Sequence, residues 1–333
     1  MSGNFVWRDA GRTIVFRGTG VRDAPQLLVE HGMEHFELLS TPRALTGAAD
    51  LEEAATAVHE VAPGGVPEAA ATILNLALSR NLVALGGGRV IDTAKAVASV
   101  TGARVAAIPT TLSGAEMTGI HRLPAGAEAR VGGLVRPELA IADPEAMTSL
   151  AEARLRASAM NALAHGADSL YTPFANPVSR MTALRGAELI AVALDQPAEE
   201  RDRAALALGS TLCGYAIDSA AFSLHHVICQ TLVRICGGPH AETNAAILPP
   251  AMAFLVPRVP DQMSAFADAI GAAPGDLATR IRELGNPIGL GEAGADRSKL
   301  DRALDSILVR PELAFTPDSP TREELRELIE AAW

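Results

Sequence analysis

Leu82-Val83-Ala84-Leu85-Gly86-Gly87-Gly88-Arg89-Val90-Ile91-Asp92-Thr93-Ala94-Lys95 is the stretch whose reading decides the fold. A short apolar run of strand type meets three consecutive glycines, and an apolar helix begins immediately after them. Glycine lets the backbone approach a bulky anion closely, and the free N–H groups at the start of the helix, at the positive end of its dipole, face that anion. A dinucleotide pyrophosphate is the natural ligand; a strand-to-helix turn that merely needs glycine is the alternative. The spacing is not G-x-G-x-x-G, so the ordinary dinucleotide fingerprint is absent.

Outward from this loop, strand-like runs at 13–18, 35–39, 104–108 and 138–142 join 82–85, with helix-like stretches at 24–31, 50–60, 66–79 and 89–99. Strand and helix in alternation predict a doubly wound α/β sheet. From about Thr148 the strand signal ends. Ala/Leu-rich amphipathic segments follow at 150–171, 176–194, 199–216, 217–234, 240–256, 261–271, 274–285, 297–307 and 321–332. The expected architecture is an α/β N-terminal dinucleotide-binding domain, 1–148, followed by an all-α C-terminal catalytic domain, 149–333. A chain of 333 residues accommodates two domains at about 100–200 residues each.

Composition narrows the partners. A formal net charge of −11 disfavours nucleic acid and anionic membranes, although a local basic patch can still hold a small anionic substrate. Cys213, Cys229 and Cys236 are odd in number and form no C-x-x-C pair, which argues against a disulfide framework and for a reducing, cytoplasmic setting. The first residues lack the charged-then-apolar order of a signal peptide, and no apolar run reaches the ~18–20 residues of a membrane span.

Several segments together carry a family resemblance: Gly86-Gly87-Gly88 with Asp92 and Lys95; Ile108-Pro109-Thr110-Thr111-Leu112-Ser113-Gly114-Ala115-Glu116-Met117-Thr118; Met160-Asn161-Ala162-Leu163-Ala164-His165-Gly166-Ala167-Asp168-Ser169-Leu170-Tyr171; and Leu224-His225-His226-Val227-Ile228-Cys229-Gln230 through Pro239-His240-Ala241-Glu242-Thr243-Asn244. With TIVFRGTG near the start and PTREELRELIEAAW at the end, the likeness runs over essentially the whole chain. The sequence resembles the maleylacetate reductase branch of the iron-containing alcohol dehydrogenase superfamily, which has the dehydroquinate synthase-like fold. The resemblance implies an oxidoreductase, a homodimer, and NADH or NADPH held by Gly86, Gly87, Gly88, Arg89, Asp92, Lys95, Thr110, Thr111, Ser113 and Thr118. Arg89 replaces the serine usual in the family. Where many relatives place an Asp against the adenosine ribose, this chain has Thr41 followed by Arg43, so no carboxylate excludes a 2′-phosphate and both cofactors are expected to bind. Arg43 reads equally well as an attractor of that phosphate or as a surface-loop residue.

The second half supplies a polar constellation. Asn161 and His165 stand four apart on one helix face, His226 and Gln230 do the same on another, and His240 opens a third helix, so three helices can aim polar groups at one point. In metal-dependent relatives that point holds iron or zinc, ligated by an Asp at the Asn161 position and by histidines matching His165, His226 and His240. Asn161 removes the only anionic ligand, so no resident metal is expected; if one is present, those three histidines are its ligands. Each histidine taken singly also reads as a satisfied core residue. At Gln230 the family has a proton-relaying histidine, and an amide cannot titrate. His225, His226, Tyr171 and a metal-free His165 are the candidate proton donors. For a dicarboxylic substrate, Arg130, Arg136 and Arg234 are the candidate grips, with His225 beside them, and each arginine reads equally as a solvated surface residue. The expected function is NAD(P)H-dependent reduction of a small carboxylated enone or oxo acid. The alternatives are a non-redox lyase, isomerase or condensing enzyme on the same fold, and a ligand-binding protein without turnover.

Overall fold

The computed structural model describes residues 11–76, 79–127 and 133–333. The chain divides into two compact units, one ending at Leu150 and the other running from Ala151 to Trp333. The expected boundary after residue 148 falls two residues early. Thr148 Oγ1 donates to Pro144 O at 2.7 Å and Arg43 Nη2 donates to Ser149 Oγ at 3.0 Å, so both residues belong with the first unit.

The first unit carries β1 (Thr13–Phe16), α1 (Gly20–Glu30), β2 (Glu37–Ser40), α2 (Pro42–Leu45), α3 (Ala49–Ala54), β3 (Ala57–Glu60), α4 (Val66–Leu74), β4 (Asn81–Gly86), α5 (Gly88–Thr101), β5 (Arg104–Pro109), β6 (Leu139–Ala142) and α6 (Pro144–Met147). All strands are parallel, in the order β1-β6-β5-β4-β2-β3. Leu82 to Leu85 are completely buried because both faces of the sheet are covered, which is why a central strand reads as a continuous apolar run instead of an alternating one. Alternate residues still serve different cores. Val83 and Leu85 join Leu38, Ala106 and Ile108 against α1 and α3 residues, whereas Leu82 and Ala84 join Leu39, Val105 and Ala107 against α4 and α5 residues.

β3 departs from the expectation of a helix over 50–60. The helix stops at Ala54, Thr56 N and Oγ1 both donate to Phe36 O at 2.9 and 2.8 Å, and Ala57–Glu60 pairs with β2 alone. A four-residue edge strand with one β-branched residue carries almost no strand signal of its own; its register comes from the neighbour.

The second unit is helical: α7 (Glu152–Asp168), α8 (Pro177–Asp195), α9 (Arg203–Ala220), α10 (Leu224–Ile235), α11 (His240–Leu255), α12 (Pro260–Ala269), α13 (Leu277–Gly285), α14 (Leu300–Leu308) and α15 (Arg322–Glu330). Helix α7 is buried without interruption from Ala157 to Asp168, a pattern of a helix surrounded on all sides. The break expected near residue 217 lies instead at Ala221–Ser223, where α9 and α10 diverge by 98°. Ala221 takes φ 59°, a conformation costly for a residue with a Cβ. Contacts on either side hold it: Thr172 Oγ1 donates to Ala220 O, and Ser223 N donates to Asp168 Oδ2 at 3.2 Å. Among the described residues no single helix is long and apolar enough to cross a membrane.

Candidate active site

The chain contains two polar constellations, one in each unit. In the α/β unit, β2 and β4 are adjacent, but the chain leaves β2 towards β3 and leaves β4 towards β5, in opposite directions. Their carboxyl ends therefore flank a topological switch point, the place where open α/β sheets bind ligands. Three segments meet there. Ser40 Oγ at the end of β2 donates to Leu85 O at 2.8 Å, and Thr110 N at the end of β5 donates to Gly86 O at 3.0 Å. Gly87 serves as N-cap of α5 with no side-chain cap, so the first N–H groups of that helix have no side-chain partner.

The glycines have a reason inside the protein as well as towards a ligand. A Cβ on Gly87 would come within 2.9 Å of Thr111 Cγ2, and one on Gly88 within 3.0 Å of Ser113 Oγ. The β5 loop thus packs directly on the glycine turn. The hydroxyl of Thr111 is buried without a hydrogen-bond partner among the described residues, as a group awaiting a ligand hydroxyl or phosphate oxygen would be.

Other expected cofactor residues are placed differently. Lys95 is completely buried; its ammonium donates to Ala115 O and Thr118 O, each at 3.0 Å, and to Thr118 Oγ1 at 3.3 Å, and pairs with Asp92 at 2.7 Å. Lys95, Asp92 and Thr118 therefore fasten the loop after β5 to α5, and the lysine is a positioning residue without a free donor for phosphate. Arg89 Nη1 donates to the carbonyls of Val61 and Ala62 beyond β3. Thr41 Oγ1 caps α2 by accepting from Ala44 N at 3.3 Å, and Arg43 is held by Ser149. Buried Glu116 has both carboxylate oxygens without a hydrogen-bond partner among the described residues; burial pushes its carboxyl up to about 7, against the opposing charges of Lys95 and Arg12.

In the helical unit α7 brings Asn161 and His165, and α10 brings His225, His226 and Gln230. The rings of His165 and His226 stack with centroids 4.8 Å apart. At the centre is an acidic residue of the Met160–Tyr171 segment. Asp168, completely buried at the end of α7, accepts from His226 Nδ1 at 2.7 Å, from Ser223 N at 3.2 Å, from His226 N at 3.4 Å and from the Tyr171 hydroxyl. Burial opposes its charge, yet the His226 hydrogen bond and the neighbouring imidazoles hold its carboxyl down to about 2. Its only sequence signal was an acid three residues after His165, on the same helix face.

Because a carboxylate only accepts, His226 must carry its proton on Nδ1. Its Nε2 then exposes a lone pair, and this nitrogen is buried with no hydrogen-bond partner among the described residues. Nδ1 of His165 is in the same condition, and burial first, then the charges of His226 and His240, pushes His165 well below the usual imidazole range.

Two expected proton donors are removed by their contacts. The Tyr171 hydroxyl is committed to Asp168, and burial raises it well above its ordinary range. His225 is completely buried, faces Asn244 O at 3.1 Å through Nε2, and is depressed to about 3 by burial, which disfavours it as a proton donor. Of the expected substrate arginines, Arg234 is exposed and donates to Ser306 Oγ at 2.6 Å, Arg136 lies in the α/β unit beside Gly119, and Arg130 is outside the described residues. His240, the first residue of α11, is exposed.

These donors fit a tightly held divalent ion poorly. Asp168, His225 and His226 have ligand atoms within 4.8 Å of one another, but the Asp168–His226 hydrogen bond engages the carboxylate and Nδ1 of His226, which leaves Nε2 of His226 and Nδ1 of His165 as the imidazole nitrogens without a hydrogen-bond partner among the described residues. The position that would supply an anionic ligand to His165 and His226 is the neutral Asn161.

Comparison with known proteins agrees with this architecture. Residues 14–144 match the iron-containing alcohol dehydrogenase family model, and residues 156–333 match the model of the family's C-terminal region. Maleylacetate reductase 1 of Rhodococcus opacus is 36% identical over 260 residues, covering 76% of this chain and 72% of the relative. The maleylacetate reductase of Rhizobium sp. is 32% identical over 99% of this chain and 97% of its own length. The crystal structure of a maleylacetate reductase from Rhizobium sp. superposes with a TM-score of 0.86, at 29% identity, covering 99% of this chain and 98% of the other. With a sheet, a helical unit and whole-length relatives in agreement, the chain belongs to the iron-containing alcohol dehydrogenase family, as an oxidoreductase of its maleylacetate reductase branch.

Proposed function

We propose that this protein reduces a small carboxylated enone or oxo acid of the maleylacetate type with NADH or NADPH, without a resident metal. The observation that carries the reading is the His226–Asp168 pair: a buried carboxylate fixes the imidazole tautomer and leaves Nε2 as an unpartnered, aimed nitrogen. At position 161 the chain offers a neutral amide where metal-dependent relatives have a carboxylate ligand.

A bound reduced nicotinamide supplies the hydride to the electron-poor carbon of the enone. The chain's own residues do the rest. The glycine turn and the uncapped start of α5 bind the pyrophosphate, with Thr111 offering a hydroxyl. His226 takes up and passes on the proton through the lone pair of Nε2, while Asp168 accepts from its Nδ1–H and orients the ring, as a buried carboxylate does for a catalytic imidazole elsewhere. His165, stacked on His226, adds a second imidazole that burial keeps in its neutral form.

The relatives' activity supports the substrate class, and the unpaired, buried cysteines Cys213, Cys229 and Cys236 suit a cytoplasmic enzyme. A homodimer follows from the family resemblance. The test is stopped-flow absorbance at the reduced-nicotinamide band with purified protein and maleylacetate. Rapid loss of NADH absorbance is expected. Cofactor binding with no oxidation would replace this reading by a non-redox lyase, isomerase or condensing activity.

A further inference from the structure

Gln230 stands where relatives have a histidine, and its surroundings give the amide a definite orientation. It lies four residues after His226 on α10, hence on the same helix face, and is half-buried. Its Oε1 accepts from Arg310 Nη2 at 3.2 Å. A guanidinium can only donate, so the amide atom facing it must be the oxygen. The two N–H groups of Gln230 consequently point away from Arg310, and among the described residues Nε2 donates to no protein group.

Arg310 is itself immobilised. It grips Glu312 through Nε at 2.9 Å and Nη2 at 3.0 Å, at the start of the short helical turn Pro311–Phe315. Glu312 O accepts from Ser223 Oγ at 3.0 Å, and Ser223 N donates to Asp168, the carboxylate that orients His226. One knot of contacts therefore sets the direction of both His226 and Gln230. With Glu312 neutralising it, Arg310 is no free cation for a substrate; its effect passes through the amide.

We propose that Arg310 is a positioning residue that turns Gln230 into a fixed, non-titrating N–H donor for an anionic oxygen of the substrate. The inference rests on the reduction reading above and specifies its substrate contact. When hydride adds to the enone carbon, the reduced nicotinamide is oxidised, the C=C electron pair shifts, and the conjugated oxo oxygen becomes an enolate oxygen. The neighbouring carbon then takes a proton and the C=O is restored. A donor at that oxygen stabilises the charge where it forms, and loss of such a donor typically costs ~10²–10³ in turnover. The same donor could serve a substrate carboxylate, which would appear in KM instead.

The experiment compares native protein, Gln230→Ala, Arg310→Leu and the double variant in steady-state reduction of maleylacetate, with thermal melts to confirm folding. Expected is a fall of at least tenfold in kcat/KM for Gln230→Ala, a smaller fall for Arg310→Leu, and no further loss in the double variant. A loss in kcat assigns the enolate oxygen; a rise in KM assigns a carboxylate. Arg310→Leu falling equally in both backgrounds would show a purely structural arginine and overturn the proposal, as would a change below threefold in Gln230→Ala. A second readout needs no turnover. The chain has four glutamines, at 26, 196, 230 and 262, so selective ¹⁵N labelling gives four side-chain amides, and the one missing in Gln230→Ala is that of Gln230. Titration with succinate, an unreactive dicarboxylate, should move that signal in native protein and not in Arg310→Leu. If native protein oxidises no NADH yet this Arg310-dependent shift persists, the reduction reading fails and the donor assignment stands; a signal indifferent to succinate in an active enzyme does the reverse.

Discussion

Removal of the Asp168 carboxylate tests the organisation of the helical unit most directly. In Asp168→Ala, the His226 Nδ1–H, the Ser223 N–H and the Tyr171 O–H lose their acceptor together, and all three residues are buried. Each stranded buried donor costs about 1–3 kcal/mol, and removing one partner of a buried charged pair typically costs about 3–5 kcal/mol in total after relaxation. For a unit spanning Ala151–Trp333, that corresponds to a drop in Tm of roughly 6–20 °C at about 2–4 °C per kcal/mol. Asp168→Asn should cost far less, about 1–2 kcal/mol, because the amide oxygen can keep His226 and Ser223 while the Tyr171 hydroxyl rotates to accept from the amide. Turnover should fall in both, since His226 loses the anion that orients its ring and stabilises its charged form. Melts followed by circular dichroism, alongside NADH consumption, provide the readout. An Asp168→Ala protein melting within 2 °C of the parent, with unchanged turnover, would refute the reasoning.

Glu116→Gln should stabilise the protein above neutral pH. With the folded carboxyl raised to about 7 from 4.5, the native state holds a proton that the unfolded chain releases, so stability is lost as pH rises from about 4.5 to 7, by on the order of 2–3 kcal/mol; melts at pH 5 and pH 8 should show the variant gaining only at the higher pH. Gly87→Val should abolish binding of both cofactors, but Thr111 Cγ2 lies 2.9 Å from the new Cβ, so the milder Gly87→Ala with Thr111→Ser separates loop packing from the ligand; restored binding in that pair would assign the defect to Thr111. NADH and NADPH should bind within about tenfold of one another in calorimetric titration, because the Thr41 hydroxyl caps α2 and brings no charge against a 2′-phosphate; a hundredfold preference would locate the discrimination elsewhere. Purified protein should carry substoichiometric iron and zinc and keep its turnover in EDTA, whereas one tightly held ion per chain would show that Asn161 suffices in place of the carboxylate.

The order of elements was legible in the residues because it depends on local pattern. Leu82–Leu85 had to be a doubly covered strand, Gly86–Gly88 a turn into a helix, and the Ala/Leu periodicity after residue 150 a helical unit. The polar residues of α7 and α10 were also identifiable, since i, i+4 spacing places Asn161 with His165 and His226 with Gln230. β3 was not legible: four residues with one β-branched side chain become a strand only because β2 offers an edge.

The roles within each constellation depended on contacts that no local pattern encodes. Lys95 looks like a phosphate ligand in sequence, but carbonyls of Ala115 and Thr118, more than 15 residues away, take up its donors. Tyr171 and His225 look like proton donors until Asp168 and Asn244 claim them. Arg310, 80 residues after Gln230, could not have been paired with it from spacing at all. Helical and strand periods are short-range consequences of backbone geometry, so sequence alone determined the strongly patterned elements and the faces they bury, though not β3 or the exact break between α9 and α10. Which buried donor meets which acceptor is settled by the packing of distant segments, and only the tertiary structure decided that His226 is aimed by Asp168 and Gln230 by Arg310.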